Sequence, residues 1–199
     1  MGNRSVAAPS AAVAGLALVT ALTMTTTAPP ALAATCPAST TCATTVTFTV
    51  NAPDGLTINV PDGPVSIGSG APGAPISGAL GPVTVSDQRA ALTATWEATV
   101  SAASGGFTTG GGTPAETVPN TAILYWSGSG TYTGGIPADF SPGQATAGDA
   151  QSLDVSRTAF SKTSGSGNNS ATWDPTIVVN VPAQAVAGTY TGTVNHSVA

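Results

Sequence analysis

Residues 92–102 read Leu-Thr-Ala-Thr-Trp-Glu-Ala-Thr-Val-Ser-Ala, and this stretch decides the fold class. Leu92, Ala94, Trp96, Ala98, Val100 and Ala102 alternate with Thr93, Thr95, Glu97, Thr99 and Ser101. Alternation sustained this long describes a strand with one buried face, whereas a helix would scatter the apolar positions around its axis. Trp96 is expected in the core and Glu97 on the solvated side. Thr suits the outward positions because its branched Cβ favours extended backbone while its hydroxyl stays hydrated.

The same pattern recurs on either side. Residues 44–51 alternate Val46, Phe48 and Val50 with Thr45, Thr47 and Thr49, and residues 189–198 set Tyr190, Val194, His196 and Val198 opposite hydroxyl and amide side chains. Shorter expected strands cover 56–60, 65–67, 83–85, 123–126, 153–160 and 176–181. Pro53-Asp54-Gly55 and Pro61-Asp62-Gly63 separate them as turns, because Pro presets φ, Asp bonds the local backbone and Gly accepts positive φ. Residues 105–113 and 164–170 read as longer loops. Two strand endings echo each other, Ile58-Asn59-Val60-Pro61 and Val179-Asn180-Val181-Pro182, without a third copy to make a repeat. Eight to ten half-buried strands without crossover helices predict an all-β domain, a single two-sheet antiparallel sandwich of immunoglobulin-like layout, with a closed barrel as the rival.

Composition narrows the function classes. The 199 residues include 4 Lys+Arg, 9 Asp+Glu and one His, with 24 Gly and 16 Pro. So few cations cannot line a phosphate-binding surface, which argues against nucleic acid as a partner. Frequent Gly and Pro argue against a mostly helical fold. The N-terminus reads as an address: Arg4, an apolar run from about Ala11 to Leu22, then Ala31-Leu32-Ala33. A basic start, a core too short to span a bilayer and a small-x-small ending predict a signal peptide over residues 1–33. The expected product is extracellular, with no membrane span in the mature chain. Residues 34–43 then form a short segment closed by Cys36 and Cys42, read as a disulfide in an exported chain, and residues 44–199 form the sandwich. A C-x5-C pair with one His elsewhere lacks the ligands for zinc.

Residues for catalysis are sparse. A serine hydrolase needs a nucleophile, a base and an orienting acid, and His196 is the one His, with no G-x-S-x-G in the chain. Its place on the apolar side of the last strand predicts a packed residue. Glu97 and Glu116 are the two Glu residues, and Glu97 with Asp87 is the available carboxylate pair. Asp54, Asp62 and the stretch 149–154 fit no calcium loop. The chain is accordingly read as noncatalytic, without cofactor or metal. Asn168-Asn169-Ser170 and Asn195-His196-Ser197 match the short N-glycosylation pattern. The contact candidates are aromatic: Tyr125 and Trp126, neighbours on one strand and so on opposite faces, and Tyr132 beyond Ser127-Gly128-Ser129-Gly130.

The C-terminal strand carries a resemblance. Tyr190-x3-Val194-x-His196-x-Val198 resembles the closing motif of WxL domains, Tyr-x3-aliphatic-Thr-Trp-x-Leu. Upstream, Val83-Thr84-Val85-Ser86-Asp87-Gln88-Arg89 followed by Trp96 is similar to that family's Val-x-Asp-x-Arg…Trp-x-Leu stretch. Ala98 stands where the family has its first Leu, and His196 where it has its second Trp. The resemblance implies an exported, noncatalytic β-rich module held noncovalently on a Gram-positive cell wall. Peptidoglycan or another wall glycan is then the expected partner. The alternative is a structural or adhesive surface subunit that binds a surface protein, or its own kind, by strand or surface pairing.

Overall fold

A computed structural model describes residues 37–52 and 55–199. The expected signal peptide, Asp54 and Cys36 lie outside the described residues, and with Cys36 the expected bridge to Cys42. The chain divides into two units, Met1–Phe48 and Thr49–Ala199. Residues 37–48 of the first hold one turn, in which the Thr40 N–H and Oγ1 both donate to the Pro37 carbonyl, at 3.3 and 2.7 Å.

The second unit is all-β, and each of its ladders is antiparallel. In chain order its strands are β1 (Leu56–Asn59), β2 (Pro75–Ala79), β3 (Val83–Asp87), β4 (Trp96–Ala102), β5 (Phe107–Thr108), β6 (Thr117–Val118) and β7 (Ile123–Trp126). They continue as β8 (Gly130–Thr133), β9 (Phe140–Pro142), β10 (Gln151–Ser152), β11 (Arg157–Lys162), β12 (Asn169–Trp173), β13 (Thr176–Asn180) and β14 (Val194–Val198). Single turns of 3₁₀ helix at Pro114–Glu116, Asn120–Ala122, Pro137–Asp139 and Ala147–Asp149 join some of them.

Hydrogen bonding sorts the strands into three four-stranded sheets, β1-β3-β12-β8, β14-β4-β11-β9 and β10-β7-β13-β2, with a β5-β6 ribbon. The first two face each other in matching order. Trp173 of β12 stacks on Phe160 of β11 with ring centroids 5.0 Å apart, Tyr132 of β8 stacks on Phe140 of β9 at 4.6 Å, and β1 lies beside β14. The inward row of β4 holds Trp96, Ala98 and Val100, all buried, and that of β3 holds Val83, Val85 and Asp87. The third sheet meets this core through Tyr125, whose hydroxyl accepts a hydrogen bond from Trp173 Nε1 at 2.9 Å. One aromatic residue from each sheet thus meets at a single buried point, which joins them into one hydrophobic core.

Several expectations are corrected. Two sheets were anticipated, and a third sheet and a ribbon accompany the facing pair, because Gly- and Pro-rich turns keep the strands short and split the ladders. Residues 44–51 form no strand among the described residues. Alternation specifies a strand only where a neighbour supplies the other half of its hydrogen bonds, and Val46, Phe48 and Val50 have none among the described residues. The strand expected from Leu92 begins at Trp96. Before it, residues 90–94 dock on the loop between β11 and β12: Ala90 N–H donates to Asn168 Oδ1, Gly167 N–H to the Ala91 carbonyl and Ala94 N–H to the Gly165 carbonyl. Leu92 is left 91 % exposed. Residues 65–67 pair with no strand, and residues 189–193 contribute one bridge, Thr191 to Thr108. The run 153–160 splits, with Leu153 buried in the turn after β10.

Candidate functional site

Each aromatic contact candidate is placed by strand alternation. On β7 the burial order is Ile123 in, Leu124 out, Tyr125 in, Trp126 out. Tyr125 is fully buried, and burial pushes its phenol well above the usual tyrosine range. It is a core residue and not a contact residue. Tyr132 lies on the inward side of β8 in a different sheet, half-buried against Phe140. The three candidates are therefore not brought together. Trp126 is the exception: Trp96 is 4 % exposed and Trp173 1 %, whereas Trp126 is half-buried on the outer face of its sheet.

The register fixes what surrounds it. Trp126 lies opposite Thr176, which lies opposite Ala79, and the next outward row is Leu124, Val178 and Ser77, with Ser152 beside Leu124. These rows carry no charged residue. They present one indole, aliphatic groups and hydroxyls on an antiparallel sheet. Below the indole, the chain is held rigidly. Ser127 Oγ donates to the Gln144 carbonyl at 2.9 Å and accepts from Gln144 N–H at 3.1 Å, and Gly128 N–H donates to the same carbonyl. Gly128 has φ +70°, and a Cβ there would stand 3.5 Å from the Trp126 ring. Glycine accommodates the left-handed backbone at this position, and the hydrogen bonds lock it.

The residues that carry the family resemblance build the core. Arg89 grips Asp87 bidentately, with Nε to Oδ1 and Nη2 to Oδ2 both at 2.9 Å, and Nη2 also reaches the Thr95 carbonyl at 2.7 Å. The Arg89 hydrogen bonds hold the Asp87 carboxyl below the usual carboxylate range against the opposing effect of burial. Asn169 Nδ2 donates to Asp87 Oδ2 at 3.3 Å while its Oδ1 accepts from Trp96 Nε1 at 2.8 Å. Trp96 is thus tied through one amide to the Asp87–Arg89 pair across the two facing sheets. Tyr190 Oη lies 3.0 Å from the Ala115 carbonyl and 2.9 Å from that of Val186, anchoring the approach to β14. Val194, His196 and Val198 sit half-buried on the inward side of β14. The His196 ring meets Tyr125 edge to face at 5.8 Å, and burial lowers its pKa to about 4, so the imidazole is neutral at pH 7.

The acidic candidates are dispersed. Glu97 points outward from β4 and accepts from Thr158 Oγ1 at 2.6 Å, and Glu116 accepts from Thr113 Oγ1 at 2.6 Å. Among the described residues, no three His, Cys, Asp or Glu side chains gather at one point. Sequence reasoning missed a buried polar pocket behind Phe140. Lys162, 1 % exposed, donates to the Ser164 carbonyl with its ammonium 5.7 Å from the Phe140 ring centre. Asp139 nearby accepts from Ser164 Oγ at 2.5 Å and Ile136 N–H at 3.0 Å. Lys162 falls on the inward period of β11, a signal present in the sequence, but the strand expected there ended at Phe160. No family model matches the chain, and neither does any characterised protein or solved structure.

Proposed function

We propose that the protein is an exported, noncatalytic module that holds noncovalently to a cell-wall glycan through the outer face bearing Trp126. The observation that carries this reading is the position of that indole. It is the one tryptophan outside the core, on a rigid strand end, in an uncharged row with Thr176 and Ala79. A π face suits the C–H groups of a sugar ring, and hydroxyls at Thr176 and Ser77 suit its polar edges. The lack of cations in the row favours a neutral polymer over a polyanion. The proposal takes residues 1–33 as the signal peptide, Cys36 and Cys42 as a bridge, and the two facing sheets as the immunoglobulin-like sandwich. The resemblance to WxL domains supports it, although Trp96 and His196 act within the core and not at this face.

The test is co-sedimentation with purified cell-wall sacculi. Wild-type chain is expected to pellet and to be released by denaturant, and Trp126→Ala to lose binding by at least roughly tenfold. Because Trp126 lies outside the core, the variant should keep its thermal midpoint within a few degrees. Equal pelleting of a folded Trp126→Ala variant would overturn the proposal.

A further inference from the structure

Three apolar side chains in one row stand in solvent near the start of the described chain. Val46 is 79 % exposed, Phe48 86 % and Val50 74 %, although their alternation with Thr is that of a half-buried strand. Residues 38–52 contain no charge and no Pro, the devices with which natural edge strands are normally blunted.

The sandwich has a matching gap. On its β1–β14 side the inward residues Leu56 and Ile58 of β1, and Val194, His196 and Val198 of β14, stay half-buried, whereas the inward rows of β3 and β4 are sealed. The backbone of β14 is open as well. Glu97 and Ala199 exchange both N–H···O bonds, at 2.9 and 3.1 Å, and Ala103 N–H reaches the Thr193 carbonyl at 2.9 Å. In the antiparallel alternation, odd-numbered residues therefore bond β4, and Val194, His196 and Val198 turn their N–H and C=O groups to the free side. Among the other sheet-end strands, β2 opens on Pro75, β9 ends on Pro142, β10 has 2 residues, and β1 and β8 have 4 residues each. β14 runs for 5 residues without Pro or a carboxylate, Lys or Arg.

We infer that residues 44–51 are a donor strand that adds to the free side of β14 in a second copy of this chain. Val46, Phe48 and Val50 have the same spacing as Val194, His196 and Val198. One register therefore lays the three apolar side chains over the open side of the core and leaves Thr45, Thr47 and Thr49 in water. Each copy carries one donor and one acceptor, and reciprocal exchange between two copies closes as a two-fold dimer. Wall binding through Trp126 is not required for it.

Sedimentation velocity and residue-resolved amide hydrogen exchange on the purified full chain test the inference. A dimer is expected at high micromolar concentration, dissociating on dilution, with the amides of Val194, His196 and Val198 protected in the dimer alone. Phe48→Asp should weaken association at least about tenfold and leave core tryptophan fluorescence unchanged, since Phe48 lies outside the core. Free exchange of these amides at every concentration would overturn the inference. So would protection that persists in the monomer, which would mean the segment closes on its own chain, or a dimer indifferent to Phe48→Asp.

Discussion

Acidification should loosen the sandwich through His196, which burial keeps neutral in the folded chain. In the folded chain its pKa is lowered to about 4 from an ordinary 6.5, with burial as the cause. The unfolded chain therefore takes up this proton as pH falls below 6.5, while the folded chain resists until about pH 4. Stability is thus independent of this group above pH 6.5 and declines as the pH drops from there to 4. A shift of this size corresponds to roughly 3 kcal/mol at 1.36 kcal/mol per pKa unit. Because the ring is only half-buried at the open side of the core, about 2–3 kcal/mol is the expected loss. Asp87 contributes in a lower window: Arg89 depresses its pKa below 3.8, so its stabilisation is lost only under stronger acid. Urea titrations at pH 7, 5.5 and 4, followed by tryptophan fluorescence, measure the slope. His196→Phe should flatten it between pH 6.5 and 4. An equally steep slope in that variant, or no slope in the wild type, would refute the reasoning.

Other perturbations test the packing. Asn169→Ala strands Trp96 Nε1 and removes a donor from Asp87 in a buried setting, and should cost about 2–4 kcal/mol in urea unfolding. Trp173→Ala removes the ring that contacts Phe160 and the Tyr125 hydroxyl; a loss of about 3–5 kcal/mol is expected, and chemical denaturation under 1 kcal/mol would show that the three sheets do not depend on that point. Gly143→Ala would place a Cβ 1.8 Å from the Thr158 carbonyl. The backbone must shift to relieve this contact, so the thermal midpoint should drop by several degrees.

The β class was legible from sequence because Thr-rich alternation leaves no helical alternative, and 123–126 appears as β7 with its expected bounds. Strands with small or polar inward residues were not legible. β12 turns Asn169 and Ala171 inward beside Trp173, and β8 turns Gly130 inward beside Tyr132. Their burial comes from tertiary partners, such as the Trp96–Asn169 hydrogen bond, that no local pattern records. Conversely, residues 44–51 have the local pattern without a partner. At the candidate site, alternation established that Tyr125 and Trp126 must diverge, but which one faces out depends on Trp173 and His196, far away in sequence and on other strands.

The most direct measurement follows the three indole N–H resonances in a two-dimensional ¹H–¹⁵N spectrum while soluble glycan fragments of the cell wall are added. The Trp126 resonance should move in a saturable manner while those of Trp96 and Trp173, each hydrogen-bonded inside the core, stay in place. A Trp126 resonance that does not move at saturating glycan would contradict the assignment of the outer face as the binding surface.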